Sequence, residues 1–393
     1  MLTLDRRLFL KSAACVGCSA AAHPLMSAMT FAQVPGDSRL VVIILRGAMD
    51  GLDAIQPYGD PNLRALRRTL SVGPDGGALD LDGFYALHPR LAPLLPLWQR
   101  GELGFAHAVS TPYRDKRSHF DGQDILEAGT GGDLPPDRRV SGWLNRLLQV
   151  IPGATAETAY SVGTEPMQIL SGKAAHLSWA PQMSLSLSPQ AQMLLGHIYE
   201  DDGLFRNAAQ DAIRISGEAE VMTSGQGPAA AAQALGAFTA SRLNGASRIA
   251  TFSISGWDSH ARQVAVIGRA LDQLSVAILA LRDGLGTNWG ATTVLVMTEF
   301  GRAIRENGTG GTDHGTGGVM LMAGGAIRGG HGYGEWPGLA EGQLYAGRDL
   351  MPTRDIRAYA AWAMRGLFGI EASALESTIF PGLDLGSDPG FLA

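Results

Sequence analysis

Leu40-Val41-Val42-Ile43-Ile44-Leu45 is an unbroken apolar run that ends abruptly in Arg46-Gly47-Ala48-Met49-Asp50-Gly51. A strand apolar on both sides needs cover on both sides, which is the condition of a strand inside a helix-coated parallel sheet. Four further runs read the same way: Leu103–Val109, Arg248–Ile254, Thr292–Thr298 and Gly318–Ala323. Helical patterns fall between them, at His119–Ala128, Gly142–Val150, Arg262–Arg282 and Asp355–Phe368. The alternation predicts a doubly wound α/β fold, its sheet mostly parallel and its helices on both faces.

With 393 residues, 45% of them hydrophobic, the chain suffices for one large domain. That domain is expected over 33–393. Residues from about 188 to 243 differ from the rest, being Ala- and Gln-rich and broken by Ser224-Gly225-Gln226-Gly227-Pro228. They are expected to form a helical insertion or cap. The formal charge of −6 argues against nucleic acid or anionic lipid as a partner.

The first residues carry a separate message. Asp5-Arg6-Arg7-Leu8-Phe9-Leu10-Lys11 resembles the twin-arginine export signature, with Asp5 in place of the usual Ser or Thr. An Ala-rich stretch and Thr30-Phe31-Ala32 follow, so residues 1–32 read as a signal peptide. The resemblance implies the twin-arginine translocase as an export partner and a periplasmic or secreted location. His23-Pro24 interrupts the apolar run, so no stable membrane insertion of the mature chain is expected. Cys15 and Cys18 both lie within the signal. The mature chain then has no cysteine, and any metal must be held by oxygen or imidazole donors.

In open α/β sheets ligands bind beyond the carboxyl ends of the strands. Leu40–Leu45 leads to Arg46 and Asp50, and Leu103–Val109 to Arg117-Ser118-His119-Phe120-Asp121. Arg248–Ile254 leads to Gly256-Trp257-Asp258-Ser259-His260, and Thr292–Met297 to Thr298-Glu299-Phe300-Gly301-Arg302. Gly311-Thr312-Asp313-His314-Gly315 precedes the next strand. Singly, each has a bland reading: Asp50 makes a turn, Ser118 and Asp258 cap helices, Asp313-His314 is a polar loop. Together, carboxylates and imidazoles without cysteine suit a divalent ion, zinc or manganese first and calcium second. A serine opening a helix sits at the positive dipole end, which favours an anionic phosphoryl or sulfuryl group.

These motifs resemble a bacterial family of twin-arginine-exported proteins defined only as a domain of unknown function. That family is in turn similar to the alkaline phosphatase and sulfatase superfamily. The second likeness rests on Gly101-Glu102-Leu103-Gly104-Phe105-Ala106-His107-Ala108 before Ser118, on Asp258 with His260, and on the places of Glu299 and His314. Glu299-Phe300 departs from the aspartate–histidine pair expected there, and Asp50, with Asp53 as a competing choice, lies late after its strand. The resemblance implies a metal-dependent hydrolase of phosphate or sulfate esters, with an anionic ester as substrate. Ser118, His119 and Arg46 are the expected catalytic residues, with Arg302 as another oxyanion clamp. Asp50, Asp258, His260, Glu299, Asp313 and His314 are the expected metal residues. The alternative is a secreted binding or assembly protein that keeps the fold without catalysis. A nicotinamide or flavin enzyme is disfavoured, because no Gly-x-Gly-x-x-Gly turn follows the first strand.

The export reading has a direct test. Replacing Arg6 and Arg7 together by Lys should leave the precursor in the cytoplasm, as seen by fractionation and immunoblotting. Normal periplasmic accumulation of that variant would overturn it.

Overall fold

A computed structural model of the chain describes residues 36–70, 72–132, 139–179 and 227–393. The expected signal peptide and the first part of the expected insertion lie outside them. The first strand, β1 (Arg39–Arg46), is flanked by β5 (Ile249–Ser255) and β6 (Thr292–Thr298), both parallel to it. β3 (Ala159–Val162) and β4 (Leu177–Trp179) extend the sheet beyond β5. On the other side lie β9 (Gly318–Ala323) and then β2 (Leu103–Ser110), whose outer edge pairs with β10 (Gly332–Tyr333) and β11 (Arg354–Asp355). Of these nine strands, β9 alone runs antiparallel to its neighbours. A separate hairpin, β7 (Arg302–Glu306) with β8 (Thr312–His314), stands between β6 and β9.

The run that decides the fold is buried on both faces. Val41, Ile43 and Leu45 pack into a core with Phe238, Leu271, Leu274 and Ile278, from helices α3 (Pro228–Leu243) and α4 (Gln263–Leu285). Leu40, Val42 and Ile44 pack into another with Trp143, Leu147, Tyr359 and Met364, from α2 (Trp143–Val150) and α5 (Ile356–Phe368). Each such side chain contributes roughly 1.5–3 kcal/mol of transfer free energy, so patterning alone drives the three-layer arrangement. Within the described residues, α3 is no cap. It belongs to the helical layer, with Phe238 and Leu243 in the main core. The remaining helix, α1 (His119–Ala128), begins at Ser118 and ends at Gly129 in the left-handed conformation.

One buried group in this core titrates. His107 on β2 stacks on Tyr85 and meets the edges of Phe105 and Trp336. Its Nε2 lies 2.7 Å from the carbonyl oxygen of Ile55 and so donates, while Nδ1 has no partner. Burial pushes its pKa down to about 4. The unfolded chain takes up this proton near pH 6.5 and the folded chain does not, so stability falls as pH drops through that interval. The loss would reach on the order of 3 kcal/mol at pH 4. His107→Gln keeps a donor without the titration. Its melting temperature should therefore fall less between pH 7 and pH 4.5 than that of the wild type, measured by circular dichroism. Parallel declines would show that His107 does not contribute to acid sensitivity.

Candidate metal centre

The site grows from one buried carboxylate. Glu299 follows the last residue of β6 and is wholly inaccessible. Its Oε1 accepts from the backbone N–H groups of Gly47 (2.9 Å) and Ala48 (3.0 Å), from His119 Nδ1 (2.8 Å) and from Gln123 Nε2 (3.3 Å). Gly47 and Ala48 both have positive φ, which turns two consecutive N–H groups toward one oxygen. Glycine is required at Gly47, because a Cβ would lie 2.7 Å from the backbone nitrogen of Asp258. Burial alone would raise the Glu299 pKa, but the hydrogen bond from His119 and the backbone donors outweigh it and hold the carboxyl below its usual range.

The ionised acceptor on Nδ1 orients His119 and, through that hydrogen bond and its charge, raises the pKa of the ring; in the neutral ring it leaves Nε2 as a lone pair. Nε2 is buried without a hydrogen-bond partner and lies 3.5 Å from Asp258 Oδ2. His314 is set in the same sense. Its Nδ1 is 2.8 Å from the carbonyl of Arg117, a residue held at φ 53°, and its Nε2 points to Asp258 Oδ1 at 3.5 Å. His260 donates from Nδ1 to Asp313 Oδ1 (3.2 Å), so its Nε2 also faces inward, 3.3 Å from Asp258 Oδ1 and 2.9 Å from His314 Nε2. Three imidazole lone pairs thus converge on one carboxylate. Neutral imidazoles repel in that arrangement, and only a proton or a cation between them relieves it.

The spacing fits an ion. Four donors about 2.0–2.1 Å from a tetrahedral ion stand roughly 3.3 Å apart. The Asp258 contacts, at 3.3, 3.5 and 3.5 Å, match that separation, whereas 2.9 Å between His260 and His314 is tighter. Ligand atoms of His119, Asp258 and His314 all lie within 4.8 Å of one another. Asp258 also accepts from Arg302 Nη2 at 2.8 Å. Partial burial works to raise its pKa, yet that hydrogen bond and charge hold it below the usual range. The Arg302 guanidinium is wholly buried, and its Nε and Nη1 have no partner.

Placement depends on close backbone contacts. β9 runs against its neighbours, so the segment leading into it begins at the same sheet edge where β1, β5 and β6 end. Gly301 lets the two approach: a Cβ there would meet the carbonyl oxygen of Gly317 at 1.9 Å. Phe300 stacks on the His119 ring at 5.2 Å and lies 5.1 Å from that of His314, forming an apolar floor under both.

Of the residues singled out in the sequence, the structure brings Asp258, His260 and His314 together and adds His119, which was expected to be catalytic. Glu299 and Asp313, expected as ligands, instead grip the Nδ1 atoms of His119 and His260. Asp50 stands apart. Its carboxylate takes a two-pronged ion pair from buried Arg67 (2.6 and 3.0 Å) and a bond from Gln263 Nε2 (2.6 Å), leaving nothing for a metal. Asp53, the competing choice, shares Gln263 at 2.8 Å. Arg46 is committed to Glu127 at 2.7 Å and to Gln123 at 3.0 Å. Ser118 is the N-cap of α1, accepting from Asp121 N at 3.5 Å. Sequence reasoning missed Arg67 and Gln263, which follow no strand, and the backbone carbonyl of Arg117.

Comparisons with solved structures give weak, long alignments. The lipoteichoic acid synthase LtaP from Listeria monocytogenes is 10% identical, aligned over 88% of this chain and 76% of its own, with a TM-score of 0.38. The zinc complex of the C-terminal periplasmic domain of EptC from Escherichia coli is 8% identical over 75% of each chain, TM-score 0.32. A protein of the alkaline phosphatase superfamily from Vibrio parahaemolyticus is 12% identical over 82% of this chain and 69% of its own, TM-score 0.29. No curated protein sequence matches significantly. One family does match, across residues 103–362, a span that runs from β2 into α5 and includes four donors of the cluster. The chain belongs to that family, described as a protein of unknown function, DUF1501.

Proposed function

We propose that this is an exported hydrolase of phosphate or sulfate esters that works with a single divalent ion. The observation that carries the reading is the convergence of three inward-facing Nε2 atoms on the Asp258 carboxylate. His119, Asp258 and His314 would hold the ion, with His260 beside them. The donor set, mixed imidazole and carboxylate, suits zinc or manganese better than calcium. Bound there, the ion supplies positive charge for an anionic ester and for the oxyanion that develops as it is cleaved.

The chain's own groups fit that chemistry. Glu299, Asp313 and the Arg117 carbonyl hold the Nδ1 atoms of three imidazoles and so aim their Nε2 atoms at the site; the proton that the hydrogen bond and charge of Glu299 favour on His119 would leave as an ion binds. Arg302 keeps Asp258 ionised and aligned. Ser118 is the nucleophile in this reading. Its hydroxyl accepts only a long 3.5 Å bond and opens a ten-residue helix whose dipole favours an anion. Export rests on Arg6-Arg7, outside the described residues. The second reading, a secreted binding protein with a structural ion, is favoured by one observation. Four protein donors fill a tetrahedral shell, as structural sites do.

The metal assignment is tested by titrating purified, chelator-stripped protein with zinc and manganese. One ion should bind per chain, and His119→Ala and His314→Ala should abolish tight binding. Glu299→Gln should weaken it about 10–100-fold, because Glu299 holds a ligand rather than the ion. A wild type that binds neither ion sinks the proposal. The nucleophile is tested with Ser118→Gly, which costs a helix cap only a few tenths of a kcal/mol yet cannot attack. Hydrolysis of aryl phosphate, phosphodiester and sulfate esters should vanish in that variant, with its melting temperature nearly unchanged. Full activity in Ser118→Gly would reduce Ser118 to a cap. Cleavage of no ester by metal-loaded wild type would favour the binding protein.

A further inference from the structure

The three imidazole donors are not equivalent, and His260 is the one with the most exposed ring and the most exposed anchor. His119 is anchored through Nδ1 to a fully buried carboxylate and His314 to a main-chain carbonyl. His260 is anchored to Asp313, whose side chain is 54% exposed and divides itself with Asn307 Nδ2. The His260 side chain is 46% exposed, against 23% for His119 and 16% for His314. Its Nε2 and that of His314 stand 2.9 Å apart, closer than the roughly 3.3 Å spacing of a tetrahedral shell, so the two cannot both hold that geometry, and His119, Asp258 and His314 form a close donor group without His260. Its backbone, by contrast, is held fast: the carbonyl of His260 accepts from Asn307 Nδ2 at 2.8 Å and Thr309 Oγ1 at 2.6 Å. The imidazole can therefore swing by side-chain rotation while the loop stays in place.

We infer that His260 is a displaceable fourth ligand: His119, Asp258 and His314 hold the ion permanently, and an oxyanion enters by taking the place of His260. The inference rests on the single-ion reading above. The exchange is a simple substitution. With an ion held by His119, Asp258 and His314, an anion oxygen would take the position that His260 Nε2 gives up as its ring rotates outward. No electron or proton changes hands. His260 then competes with every anionic ligand, so the closed four-donor shell and the open three-donor shell are two states of one centre. This resolves the tension between the two functional readings, since a filled shell at rest does not preclude substrate access.

The test uses cobalt(II) as a visible reporter and inorganic phosphate as the probe. Chelator-stripped wild type, His260→Ala, Asp313→Asn and His314→Ala are titrated with cobalt, and the loaded proteins with phosphate, following the visible bands. His260→Ala should still bind one cobalt per chain, weakened less than tenfold, and should bind phosphate at least tenfold more tightly than wild type. Asp313→Asn should move phosphate affinity the same way by a smaller factor, and His314→Ala should lose the metal. Loss of cobalt from His260→Ala, or unchanged phosphate affinity in it, overturns the inference. A wild type that takes up no cobalt overturns the inference and the single-ion reading together. If cobalt and phosphate behave as expected but metal-loaded wild type cleaves no ester, the assignment of His260 stands and the hydrolase reading falls.

Discussion

Everything at the sheet edge depends on an ionised carboxylate that water cannot reach. An isolated buried carboxylate costs several kcal/mol, so Glu299 persists only because its donors are already in place. They come from three directions: the β1 turn, α1, and Thr298, which lies just before it. Leu45 pairs with Thr298 in the parallel ladder, so the Gly47-Ala48 turn and Glu299 leave the sheet at the same level. A slip in that register would strand the charge. The same contact sets His119, which makes strand pairing and ligand orientation one constraint rather than two.

The antiparallel β9 is the second determinant. In a purely parallel sheet, residues preceding a strand sit at the opposite edge from residues following one. Because β9 is reversed, Asp313 and His314, which precede it, face Asp258 and Glu299, which follow their strands. The β7–β8 hairpin carries them there, clamped from behind by Arg67, which bonds the carbonyls of Ala303 and Ile304 as well as Asp50.

Much of this was legible in the sequence. Apolar runs of six or seven residues fixed five strands, because burial on both faces leaves no other composition. The polar residues after four of them gather at one edge of the sheet. Strands of two to four residues, such as β4 and β10, carry too little pattern to detect. Nor does a run of Gly-Val-Met-Leu-Met-Ala disclose its direction in the sheet. The division of labour among carboxylates was also invisible: Glu299 and Asp258 both follow strands, and only three-dimensional contacts decide which grips an Nδ1 and which faces three Nε2 atoms. Asp50 was misjudged for a related reason. Its neutralising partner, Arg67, sits in a short irregular segment with no periodicity to flag it.

The two acidic pockets at this edge differ in charge, which is why one suits an ion and the other does not. Asp50 is matched by Arg67, and burial, followed by the charge of Asp50, raises the pKa of neighbouring Asp53 toward its neutral form. That pocket is electrically complete. Around the imidazoles, Asp258 is paired with Arg302 at 2.8 Å and Asp313 lies 4.0 Å from Arg348, while the buried charge of Glu299 is met by His119 and by backbone donors. A cation at Asp258 would find further donors in the Nε2 atoms that face it. Phe300, packed flat beneath His119, lays an apolar ring against that side of the cluster.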